Sequence, residues 1–178
     1  MLDRPTLLSK LSVWKTKGYK KLRNGTELIA ILDPVNMPDY WFHAIYAPLT
    51  QGEIDEFQKE LELHFPKPYQ KLLLQFNGIR LFGLELFIFG KEQFTKNMSY
   101  DEQTNQPKDL EDERSCLIGD IPNDLFYFAR RREDTFFFLN SQEKVLGVDN
   151  EGYLVGEWHN IDEWFKAQIL ELNNKHTV

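Results

Sequence analysis

At 178 residues, 42% hydrophobic and 14% aromatic, the chain has the length of one ordinary domain and enough apolar side chains to bury a sizeable core, which excludes disordered and multidomain readings. Residues 1–25 carry Arg4, Lys10, Lys15, Lys17, Lys20, Lys21 and Arg23 against Asp3 alone, so a net charge of −7 leaves the rest strongly acidic; that excludes nucleic acid as a direct ligand, because phosphate binding draws its affinity from Lys and Arg. No apolar run approaches the ~20 residues a bilayer needs and the lysine-dotted start lacks a signal-peptide core, so a soluble cytoplasmic protein with no membrane role is expected.

Leu7, Leu8, Leu11 and Trp14 recur at helical spacing and predict an amphipathic helix over Pro5–Trp14. Asn24-Gly25 marks a turn, and Glu27–Leu32 and Tyr40–Tyr46 read as strands of a hairpin added to the main sheet. Thr50 and Glu53 form a capping box that opens a helix with Ile54, Phe57 and Leu61 on one face. After Phe65-Pro66, a second helix starts with Pro68 in its first position and stops at Gly78, with Tyr69, Leu72, Leu73 and Phe76 on its apolar face.

Leu81–Phe89, apolar apart from Glu85, predicts one central strand covered on both sides. Periodicity stops from Lys91 to Arg114, which predicts a long exposed excursion. Leu117-Ile118, Leu125–Ala129, Thr135–Leu139, Val145–Val148 and Tyr153–Trp158 follow as short strands of an antiparallel meander, with a hairpin turn at Asp149–Gly152. Asn160, with Glu163 three residues on, caps a last helix whose Ile161, Trp164, Phe165, Gln168, Ile169 and Leu172 share one face. The expected fold is α+β: an antiparallel-rich sheet of about six strands with two helices before it and one after. Residues 1–47 elaborate the N-terminus of a single domain spanning 1–178.

The order and spacing of Ile54, Leu61, Phe65-Pro66, Tyr69, Leu72-Leu73 and Asn77-Gly78 resemble the opening of the SUKH superfamily, in its Smi/Knr cell-wall-assembly-regulator branch. Phe65 replaces the usual Leu, and Gln58 stands where such proteins often carry Glu. The later strands and the closing helix extend the resemblance over residues 48–172. It implies a non-catalytic protein-binding module, in bacteria most often an immunity protein that neutralises a cognate toxin, frequently a nuclease. The alternative it implies is a regulatory scaffold that docks a cellular enzyme, as in the cell-wall regulators.

The residues themselves offer no catalytic machinery. His43, His64, His159 and His176 lack the spacing of a metal site, and no Gly-x-Ser-x-Gly elbow or glycine-rich phosphate loop is present, so neither metal nor cofactor is expected. Cys116 stands alone and is expected to be a small buried residue in a strand.

Candidate binding residues lie in the 91–114 excursion. Tyr100, Asp101 and Glu102 precede Asp109, Glu111, Asp112 and Glu113: six carboxylates beside an aromatic. They fit either a solvated loop or a surface for a basic protein partner, a toxin domain if the resemblance holds; the exposed sheet face is the other place for such a surface. Tyr100 is then an anchor, or is buried beneath the loop. Arg130-Arg131-Arg132, at a strand tip, either meets solvent or pairs with the acidic loop. The basic segment 1–25 is expected to lie against the chain's own acidic body.

Overall fold

The computed structural model describes residues 3–117, 122, 124–132 and 134–176. Its sheet has nine strands, each paired antiparallel with the next in chain order. They are β1 (Tyr19–Lys21), β2 (Glu27–Ile31), β3 (Trp41–Ile45), β4 (Ile79–Leu81), β5 (Leu86–Ile88), β6 (Leu125–Arg131), β7 (Thr135–Asn140), β8 (Val145–Asp149) and β9 (Leu154–Trp158). Helix α1 (Arg4–Lys10) and a 3-10 helix (Ser12–Lys17) precede the sheet, and α6 (Ile161–His176) closes the chain. Between strands, α2 (Gln51–Glu60) and α3 (Lys67–Leu73) connect β3 to β4, while α4 (Tyr100–Thr104) and α5 (Leu110–Ser115) connect β5 to β6.

The mixed α+β class agrees with the sequence, but about six strands was too few, and the helix pair expected before the sheet lies between β3 and β4 of it. Leu81–Phe89 is two strands, because Phe82 and Gly83 both take left-handed φ values, 53° and 72°, and reverse the chain between β4 and β5. The turn is held from β3: the Phe82 N–H donates to His43 Nδ1 at 3.2 Å and the Gly83 N–H to the Phe42 carbonyl at 2.7 Å. The hairpin of β2 and β3 is no appendage, since Ala44 and Ile45 pair directly with Arg80 and Ile79 of β4. Strand β1 was missed because its three residues are all exposed and show no alternation. The strand expected at 117–118 is not found: Leu117 lies in a bend after α5, and Ile118 is outside the described residues. Cys116 is exposed at the C-terminus of α5 rather than buried in a strand.

Aromatic side chains show how the layers pack. Phe126 and Phe128 of β6 and Phe137 of β7 turn to the helices: Phe126 lies 5.0 Å from Tyr69 of α3, and Phe128 and Phe137 each lie 5.0 Å from Trp164 of α6. Every residue of the expected α6 face is buried, and Asn160 Oδ1 accepts the Glu163 N–H at 2.9 Å as its cap. Tyr127, Phe136 and Phe138 turn to the other side of the sheet, where Cys116 and Leu117 border the same recess as Tyr127 and Phe136. Cys116 and Leu117 therefore lie on the sheet face opposite α3 and α6, while Arg114 of α5 reaches the Phe126 ring on the helix side at 5.8 Å.

His43 sits buried among Trp14, Phe42 and Phe82, with its Nε2 unpartnered, and burial first, then His176 and Arg80, pushes its pKa down to about 3. An unfolded histidine titrates near 6.5, so the unfolded chain takes up this proton first and stability falls as pH drops from about 6.5 toward 3. Glu85 and Glu102, held at about 2 by their hydrogen bonds, cost the fold nothing until the pH falls below ordinary carboxylate values. The wild-type melting temperature is expected to decline between pH 7 and 5, and His43→Asn, which keeps an acceptor near Phe82, to flatten that decline. Equal slopes in a thermal scan of both proteins would show that His43 is not the sensitive group.

Candidate functional site

The excursion at 91–114 is not a free loop. Ser99 and Glu102 form a capping box that starts α4, and Asp109 caps α5 by accepting the Glu111 N–H at 2.8 Å. Leu110 anchors α5 in the core, and Gly90 joins the segment to β5 by donating to the Lys108 carbonyl and accepting from the Leu110 N–H, both at 2.9 Å. Short helices arise here without apolar periodicity because side-chain caps satisfy their end groups locally.

Four of the seven candidate residues are engaged within the chain. Asp101 pairs with Lys20, and the buried Glu102 accepts from Arg23 and from the Asn24 N–H, both at 3.1 Å. Asp109 also accepts the Glu92 N–H at 2.9 Å, and Glu113 lies 2.9 Å from Arg130 Nε and 3.4 Å from Lys108. The basic N-terminal segment thus reaches α4 through Lys20 and Arg23. Arg4 fastens its other end, donating to the Tyr46 and Gly25 carbonyls at 2.5 and 2.9 Å. Of the arginine triplet, only Arg130 pairs with the acidic segment; Arg131 meets Glu171 and Arg132 meets Glu85.

Tyr100, 69% exposed, Glu111 and Asp112 are left facing solvent. The fold brings Glu111 beside the end of α2, where Glu60, Glu62 and Glu111 border a shallow recess of about 290 Å³ floored by Leu61, Leu63 and Arg114. Glu92 joins the same concentration of charge: burial, then Asp109 and Asp112, raise its pKa. Lys91 offsets part of it by pairing with Glu60 at 2.5 Å. The acidic surface is therefore made by two segments some fifty residues apart in sequence, and Glu60, Glu62 and Glu92 were not among the candidates. The acidic polar face of α2, with Asp55, Glu56 and Glu60, was the available signal, but no spacing places it against α5. Among the described residues, no group of three or more His, Cys, Asp or Glu is placed to hold a metal, and no helix is long and apolar enough to cross a membrane.

The residues of the 54–78 signature serve the scaffold instead. Tyr69 Oη donates to the buried Phe89 carbonyl at 2.8 Å, tying α3 to the end of β5. Asn77 clamps Lys91, its Oδ1 accepting the Lys91 N–H and its Nδ2 donating to the Lys91 carbonyl, both at 2.7 Å. Gly78 is required because φ is 78° and a Cβ would lie 2.8 Å from the Ile88 carbonyl oxygen. Gln58 accepts the Phe65 N–H at 2.8 Å through a side-chain oxygen that Glu would also supply, so this departure from the usual residue leaves the joint intact.

A signature that ties a helix pair to a meandering antiparallel sheet defines a class of α+β module. The SMI1/KNR4 family (SUKH-1) model matches residues 48–167, and the chain belongs to that family. Compared with curated proteins, the chain has no match.

Proposed function

We propose that the protein is a non-catalytic binding module of the immunity type, which neutralises a basic toxin domain, commonly a nuclease, in the cytoplasm of the cell that makes it. Family membership supports the protein-binding role. The observation that carries the finer reading is the acidic surface where Glu62 after α2 meets Glu111 of α5, with the exposed Asp112 next in the helix. A nuclease holds its substrate in a groove of Lys and Arg, so such a surface docks there, blocks access and raises the association rate through complementary potentials. Tyr100, exposed beside the acidic segment, is suited to anchor the complex, since buried aromatics supply a large share of interface affinity.

Co-expression of the full chain with the product of the adjacent reading frame tests this. A stable complex that restores growth to cells expressing that product is the expected outcome. Recovery of a cellular enzyme instead, with no growth rescue, would favour the regulatory-scaffold reading.

A further inference from the structure

A second surface differs from the acidic one in both shape and charge. A groove of about 990 Å³ lies between the 32–40 connection, the β4–β5 turn and the β6–β7 turn. Phe42, Phe82 and Phe87 lie in it as buried rings, while Leu32, Met37 and Leu84 leave apolar side chains exposed at its border. Gly83 keeps it open, because a Cβ there would lie 3.1 Å from Tyr40 Oη and 3.5 Å from the Phe42 ring. Tyr40 Oη makes no hydrogen bond among the described residues.

The charges are layered. Glu85 and Glu113 lie beneath, with side chains 9% and 13% exposed, while their partners Arg132 and Lys108, 55% and 48% exposed, stand outermost. Arg132 is bound to Glu85 through both Nε, at 2.7 Å, and Nη2, which leaves the Nη1 donors of the guanidinium. Among the described residues, Asp134 is the exposed carboxylate in the lining. Among the described lining residues the exposed cations, Lys108 and Arg132, thus outnumber the one exposed carboxylate around an apolar centre, an arrangement that receives an apolar anchor flanked by acidic groups.

We propose that this groove binds an extended segment of a partner protein in which an apolar side chain is flanked by carboxylates. The rings take the apolar side chain, Lys108 and Arg132 meet the carboxylates, and Tyr40 Oη donates to a backbone carbonyl of the segment. Charged acceptors on Arg and Lys give roughly twice the strength of neutral hydrogen bonds, so the acidic flanks set the preference. The inference goes beyond the toxin reading, because the segment is opposite in charge to the partner expected at α5.

The test uses the full chain with labelled Met and Leu methyl groups and two probes, the capped peptides Glu-Leu-Phe-Glu and Lys-Leu-Phe-Lys. The acidic peptide is expected to produce saturable shifts at the Met37, Leu32 and Leu84 methyls with a Kd of about 1 mM, the range of a small anchored contact. The lysine peptide should bind several-fold more weakly. Lys108→Glu, at an exposed position, should invert that preference, and Met37→Ser with Leu84→Ser should abolish the shift at the remaining Leu32 methyls without lowering the melting temperature. The proposal is overturned by equal responses to both peptides, or by no saturable shift at these methyls up to about 5 mM peptide. Shifts centred on the exposed Leu154 methyls would also overturn it, by placing apolar docking at the sheet edge.

Discussion

Tyr69→Ala is expected to lower stability by about 3–5 kcal/mol, the usual cost of truncating a fully buried aromatic side chain. The ring sits between Phe65 at 5.3 Å and Phe126 at 5.0 Å, so its loss opens a cavity where α3 meets β6. It also removes the 2.8 Å hydrogen bond to the Phe89 carbonyl and leaves that acceptor buried. In a chain of this length the melting temperature should drop by roughly 6–20 °C. Tyr69→Phe isolates the hydroxyl and should cost only about 1 kcal/mol. A melting temperature unchanged in the alanine variant would mean that Tyr69 is not the joint between the helix pair and the sheet.

The second large effect is expected at Gly90, where the strain is steric. A Cβ there would lie 2.5 Å from both the carbonyl oxygen and Oδ1 of Asn77, closer than real Cβ contacts allow. Asn77 has no room to yield, since both ends of its side chain hold Lys91. Gly90→Ala should therefore cost about 1–3 kcal/mol, as other overpacking substitutions do. Its influence should reach α5, because Gly90 also bonds Lys108 and Leu110, so hydrogen exchange of the Leu110 amide should accelerate. Gly52→Ala is the control: nothing lies within 4 Å of its Cβ and the site is helical, so it should be neutral or stabilise by up to about 1 kcal/mol. Equal stability of the two variants would refute the packing argument.

What the sequence disclosed follows how local the physics is. The capping boxes at Thr50 and Ser99 depend on contacts within three residues, yet only the first was noticed, because an apolar face follows it. The α6 face was legible in full, since a helix that lies on a sheet repeats its burial every three to four residues. Leu81–Phe89 misled because it is apolar through the turn and β5 apart from Glu85, and the turn is fixed by His43 and Phe42 from another strand. The candidate site was half legible. The carboxylates of 100–113 stand out in sequence, but nothing local shows that Lys20 and Arg23 engage Asp101 and Glu102, or that Glu62 completes the surface with Glu111. The first depends on β1 meeting α4 and the second on α5 lying beside the end of α2, neither of which local spacing shows.

This also decides which variants probe the site cleanly. Asp109 and Glu113 hold α5 and Arg130, so replacing them disturbs the scaffold along with the charge. Glu62, Glu111 and Asp112 are exposed and suited to substitution. The most direct test of an acidic docking surface is the association rate of the full chain with the proposed basic toxin domain, followed by stopped flow across a series of salt concentrations. For the wild type the rate should fall steeply as salt screens the steering potential. Glu62→Ser, Glu111→Ser and Asp112→Ser combined should associate more slowly, with a flatter salt dependence and an unchanged melting temperature. Identical rates and salt slopes for wild type and triple variant would contradict the account and move the binding surface away from α2 and α5.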